Sequence, residues 1–67
     1  MKMSFRQLLH AETLARHRNF RLAAAELHIS QPALTRSIKA LEEGLGLRLF
    51  DRLSSGVEPT RAGEVVL

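Results

Sequence analysis

Between positions 30 and 39 the chain sets out Gln31, Pro32, Thr35, Arg36 and Lys39, with Ser30 just ahead of them. These side chains suit the edges of stacked bases. A guanidinium such as that of Arg36 can donate two parallel hydrogen bonds to guanine O6 and N7. The carboxamide of Gln31 can pair with adenine, and Pro32 and the Thr35 methyl can touch a thymine methyl. If Ser30 caps a helix, the free N–H groups behind it can face a phosphate. Other chemistries are poorly supplied. His10, His17 and His28 lie seven and eleven positions apart, a spacing that suggests no metal site. Glu42, Glu43 and Asp51 have no nucleophile to serve. There is no cysteine for a disulfide or thiolate, and no glycine-rich phosphate loop.

Charge and composition narrow the partners without choosing one. The formal net charge of +3 is shared by many unrelated domains, so the placement of the cations has to decide. Trp and Tyr are absent, which argues against a binder that stacks single-stranded bases on its surface. Phe5, Phe20 and Phe50 are expected in the core. No apolar run approaches a membrane span, and the first residues lack the apolar stretch of a secretory signal. The expectation is a soluble cytoplasmic module without bound cofactor, one domain over residues 1–67 with a small core.

The elements that would position Gln31 to Lys39 follow from caps and periodicity. Ser4 with Gln7 reads as a capping box, and Phe5, Leu8, Ala11, Leu14 and Ala15 recur at helical spacing, predicting helix 1 over about 5–17. Asn19 caps a two-turn helix over about 20–27, whose Ala23 and Ala24 permit a close crossing. His28-Ile29-Ser30 allows only a tight turn. Helix 3 then runs over about 31–45, with Pro32 in its first turn, Leu34, Ile38, Leu41 and Leu45 as its apolar stripe, and Gly46 as its left-handed terminator. Alternation at Leu47, Leu49 and Phe50, the turn residues Ser54-Ser55-Gly56 and a return through Val57-Glu58-Pro59 predict a small hairpin over about 48–59. Thr60 caps a fourth helix from about 61. Its apolar run Val65-Val66-Leu67 has no terminating signal, so the helix is expected to continue beyond it.

Two short helices joined by three residues, the second capped by Ser-x-Pro, match the helix-turn-helix pattern. The first helix braces the second, leaving one side of the second free to enter a major groove. Pattern alone leaves a rival open, because every small helical domain has a polar side. The rival is a helical protein-interaction or dimerisation module using Val65-Val66-Leu67.

The residues Ala23-Ala24, Leu27, Ser30-Gln31-Pro32-Ala33-Leu34, Ile38, Leu41-Glu42, Leu45-Gly46, Leu49-Phe50, Arg52, Thr60 and Ala62-Gly63 carry a resemblance over positions 5–67. Held at these spacings, they resemble the N-terminal DNA-binding domain of the LysR-type transcriptional regulators. The resemblance implies a mainly α, winged helix-turn-helix fold: a three-helix core, a β-hairpin wing and the start of a linker helix. It implies sequence-specific binding of double-stranded DNA in a bacterial regulator that forms homodimers or tetramers through that linker helix. A small-molecule effector would then bind a further domain.

Carried over by position, Gln31, Pro32, Thr35 and Arg36 become the major-groove set, with Ser30 and Lys39 at the backbone. Arg52 becomes the wing arginine beside the minor groove or its phosphates, with Ser54 and Ser55 at the wing tip. Some positions depart from the family pattern. Ala11 stands where Phe is common, so Phe5, Leu9 or Phe20 is expected to fill the core of helix 1 instead. Asn19 and Thr35 replace Ser, Arg48 replaces Pro, and Gly44 replaces a better helix former. Glu42 is expected to pair with Arg52 across the junction of helix 3 and the wing.

Overall fold

Side-chain caps decide where each helix begins. The computed structural model describes residues 4–67. It holds α1 (Phe5–His17), α2 (Phe20–Leu27), α3 (Gln31–Leu45), β1 (Phe50–Leu53), β2 (Gly56–Pro59) and α4 (Arg61–Val66). Ser4 and Gln7 close a reciprocal capping box, and the side chains of Asn19, Ser30 and Thr60 accept from Leu22, Ala33 and Gly63 N–H respectively. Each cap satisfies a donor that the helix itself leaves unpaired. The first three helices end on left-handed residues: Arg18 (φ 53°), His28 (φ 58°) and Gly46 (φ 69°).

The core is built from Ala11 and Leu14 of α1, Ala23 and Ala24 of α2, and Leu34, Ile38 and Leu41 of α3, closed below by Leu49, Phe50 and Val57. Leu14, Leu34, Leu41 and Leu49 are completely buried, so the α3 stripe faces inward along its length. The result is mainly α: three packed helices, a two-stranded wing and a fourth helix, the winged helix-turn-helix expected from the sequence.

Two expectations about this core are overturned. Phe5 is 81% exposed and Leu9 46%, so neither fills the space near Ala11. Phe5 is the first residue of α1, and on that turn the helical stripe that reaches the core starts only with Leu8. Ala11 is completely buried: its neighbours close over the methyl directly. Phe20 is half-buried at the edge of the cluster, leaving Phe50 as the one ring fully within it.

Glu42 does not pair with Arg52 either. Its Oε2 accepts from Leu49 N–H at 2.8 Å and Phe50 N–H at 3.2 Å. The chain enters the wing just after the Gly46 turn, and those two amides would otherwise be buried without acceptors, which costs more than an exposed ion pair contributes.

The wing is antiparallel, pairing Phe50 with Pro59, Asp51 with Glu58, Arg52 with Val57 and Leu53 with Gly56. A lone hairpin is marginal in water, and this one is docked. Val57 N–H donates to Arg18 C=O at 3.3 Å, and Thr60 N–H to Leu49 C=O at 2.8 Å. Gly56 sits at φ 147°, where a Cβ would also press on Arg18 C=O. Gly63 brings α4 so near β1 that a Cβ there would meet the Leu49 backbone. Thr60 Oγ1 ties the same junction by donating to Arg48 C=O at 2.6 Å.

Gly63→Ala therefore forces a backbone shift and is expected to lower unfolding free energy by about 1–3 kcal/mol in urea denaturation. Glu42→Ala, which strands two amides, is expected to cost a similar amount, about 1–3 kcal/mol. Unchanged midpoints in both would contradict the junction described.

Candidate nucleic-acid interface

The turn His28-Ile29-Ser30 holds α3 at a fixed angle to α2. His28 N–H closes back on Ala25 C=O and Ile29 N–H on Ala24 C=O, while Ile29 packs against the core. With Leu34, Ile38 and Leu41 committed inward, the opposite side of α3 is left to solvent. Gln31, Pro32, Arg36 and Lys39 are exposed on that side, and Ser30 is exposed at its cap. Thr35 is half-buried and lines a cleft of about 220 Å³ between α3 and the wing, together with Phe20, Ile38, Lys39, Phe50 and Arg52. Gln31 and Arg36 thus lie in the open on one helix, with Thr35 at the margin. Ser54 and Ser55 form the exposed two-residue turn of the wing.

Arg52 is exposed on β1, its guanidinium carbon 4.3 Å from the centre of the Phe20 ring. Phe20, which the sequence assigns only to the core, thus also touches the wing cation. Nothing local could have revealed it, because Phe20 and Arg52 are 32 positions apart and meet only when the wing folds back. Arg6 was missed as well. It shares a groove with His10, Arg36 and Ser37, where His10 Nδ1 and Ser37 Oγ are hydrogen-bonded at 2.7 Å.

The charges separate into two groups. Arg16 is held by Glu12 and Glu26, Arg18 by Glu58, and Arg48 by Asp51. Among the described residues, no carboxylate lies within ion-pair distance of Arg6, Arg21, Arg36, Lys39 or Arg52. The first turns of α1, α2 and α3 also contain no acidic residue, although the helix dipole favours one there. Arg6 and Arg21 occupy those turns instead. Such an arrangement leaves three positive helix ends and unneutralised cations for an anionic ligand to satisfy. Among the described residues, no group of His, Asp and Glu is placed to hold a metal ion, and no helix is long and apolar enough to cross a membrane.

Comparison with known proteins agrees with this geometry. Residues 5–64 match the family model described as bacterial regulatory helix-turn-helix protein, lysR family. The RuBisCO operon transcriptional regulator of Allochromatium vinosum is 47% identical over 66 residues, covering 98% of this chain and 22% of that protein. The chain spans between about a fifth and a little over a quarter of the length of this and the next curated relatives it matches. The CbnR DNA-binding domain, solved as a DNA complex, superposes with a TM-score of 0.93 at 45% identity, over 97% of this chain and 75% of that one. Corynebacterium glutamicum OxyR, solved as a C206S mutant bound to H2O2, gives a TM-score of 0.96 at 40% identity, over 100% of this chain and 21% of that one.

On the far side of α1 and α2 the ion pairs set the acid response. Hydrogen bonds from Arg16, then from His17, hold the Glu26 carboxyl at about 2, below its ordinary 4.5. Arg16 is pushed upward by the same contact. His10 is lowered from 6.5, first by burial and then by Arg6. Both groups have folded values below their unfolded ones, so each stabilises the fold fully above its unfolded value and loses that contribution as the pH falls. The thermal midpoint is expected to decline first below pH 6.5 and again between 4.5 and 2. His10→Gln should remove the first decline and Glu26→Gln the second. A midpoint flat over both ranges would contradict the assignment.

Proposed function

This chain belongs to the lysR family of bacterial regulatory helix-turn-helix proteins, and from that premise we propose that it reads double-stranded DNA with α3 in the major groove. The observation that carries the reading is the coincidence of two features on one surface. Gln31, Pro32 and Arg36 stand exposed on α3, and the cations of that face have no carboxylate partner among the described residues. Cations kept free of carboxylates at Arg36, Lys39 and Arg52 are available to a polyanionic partner such as the phosphodiester backbone.

In this reading Arg36 makes the bidentate guanine contact, and Gln31 reads the neighbouring adenine. Pro32 supplies apolar contact, and Thr35 turns its methyl to the groove from the edge of the cleft. Ser30 and the first N–H groups of α3 meet a phosphate, and Lys39 meets another. Arg52, Ser54 and Ser55 follow the flanking backbone or minor groove. Residues 4–67 act as one DNA-binding unit of a longer regulator. In that intact protein, α4 continues and pairs two subunits, an arrangement favoured by Val65, which is 81% exposed on it. Two such units would meet an inverted repeat whose half-sites lie whole helical turns apart.

Selection from a random duplex pool should yield a discrete half-site. On that site, Arg36→Ala is expected to cost about 1–3 kcal/mol of specific binding and to leave affinity for scrambled duplex nearly unchanged. Lys39→Ala is expected to weaken both duplexes equally and to lower the salt slope by about one. Equal losses on both duplexes in Arg36→Ala would remove it from direct readout. Failure to enrich any sequence would remove the DNA reading itself.

A further inference from the structure

The wing cation is held differently from the arginines that have carboxylate partners. Arg16 and Arg48 donate to carboxylates, and Arg18 has Glu58 within ion-pair distance, so each has its charge offset. Arg52 is fixed by a ring. Its guanidinium carbon lies 4.3 Å from the Phe20 centroid, and among the described residues no carboxylate lies within ion-pair distance. A ring face attracts the cation through its quadrupole, while the N–H bonds, which lie in the guanidinium plane, stay free to donate outward. The contact orients Arg52 and leaves its charge intact.

The two partners are themselves well placed for this. Phe20 is the first residue of α2, anchored behind the Asn19 cap and half-buried against the core. Arg52 stands two residues beyond the buried Phe50 on β1, so both side chains leave the same face of the strand, the one turned toward the helices. Both Phe20 and Arg52 line the cleft between α3 and the wing, with Thr35 and Lys39 on the opposite wall. The ring therefore holds the wing cation at a set distance from the helix that carries Gln31 and Arg36.

We propose that Phe20 is a positioning residue for DNA binding, holding Arg52 across the α3–wing cleft with its donors turned to an acceptor oxygen of the duplex. The inference rests on the DNA reading above. Without the ring, Arg52 is a flexible side chain that must be ordered afresh on each encounter, and binding bears that entropic cost. Contacts of this type correspond to between about two-fold and thirty-fold in an equilibrium constant.

The test is a double-mutant cycle on the 67-residue chain, titrated against its selected duplex and a scrambled one, at a temperature where thermal melts show every variant folded. Phe20→Leu keeps an apolar side chain and is expected to weaken binding by about three- to ten-fold. Phe20→Tyr keeps the ring and should restore it. In the Arg52→Ala background, Phe20→Leu should add no further loss. Proton spectra of the free chain supply a readout independent of DNA: ring current should shift the Arg52 δ-methylene upfield, and Phe20→Leu should abolish that shift.

An undiminished Phe20→Leu effect in the Arg52→Ala background would show that Phe20 acts only through the fold, and would overturn the proposal. An Arg52 δ-methylene unshifted in the wild-type chain would overturn it as well. A wild-type chain that bound neither duplex would overturn the DNA reading, and this proposal with it. A changed salt slope in Arg52→Ala identifies the acceptor as a phosphate, whereas loss confined to the selected duplex identifies a base edge; either result supports the cycle's premise that Arg52 touches DNA.

Discussion

The backbone of Leu49 is the joint at which the wing leaves α3 and α4 returns to it. Its N–H donates to the Glu42 carboxylate, its C=O accepts from Thr60 N–H, and its side chain is completely buried. A buried residue whose N–H and C=O are both satisfied in fixed directions has little freedom left. It fixes where β1 departs from the end of α3 and where α4 returns beside it. The bare Cα of Gly63 then lets α4 close on that same carbonyl. The start of the wing and the return of the fourth helix thus share one backbone position, while Phe50 and Val57 anchor the wing in the core. That economy suits a chain of 67 residues, which has few large side chains to spend on a second core.

Electrostatics divides the molecule as clearly as packing does. The carboxylates of Glu12, Glu26, Asp51 and Glu58 each occupy a cation, and the one on Glu42 serves the Leu49 joint. Among the described residues, Arg36, Lys39 and Arg52 are left without such partners on α3 and β1. The modest net charge of +3 conceals this arrangement, because a sum over the chain cannot distinguish a cation beside a carboxylate from one facing open solvent.

Most of the helical architecture was legible because its signals are local. Ser4, Asn19, Ser30 and Thr60 act on amides three residues away, and Gly46 terminates α3 by its own conformation. The stripe Leu34, Ile38, Leu41 follows from periodicity alone and fixes by elimination which α3 residues face outward. Errors arose wherever the answer depended on distant parts of the chain. Phe5 obeys the helical period yet lies above the reach of its neighbours, which only the packed arrangement reveals. Glu42 was read by charge and given to Arg52, whereas the fold needed its oxygen for two amides. Arg52 in turn found Phe20, a partner that no charge rule would select. Thr35 lies between these cases: its helix was legible, but its half-burial is set by a wing that folds back from 17 positions further on.

The wing's hydrogen-bonding edges carry one more consequence. In an antiparallel pair, alternate residues turn their amides away from the partner strand. Since Val57 N–H goes to Arg18, its alternate in β2 that also turns outward is Pro59, which has no N–H to give. Opposite them in β1 stand Phe50, whose N–H is taken by Glu42, and Arg52. Of the four outward positions, only Arg52 keeps an unclaimed amide. An unguarded hairpin would be a template on which strands of other molecules could stack into aggregates. With its outward amides claimed or absent at every such position but Arg52, this one offers few donors to a docking strand.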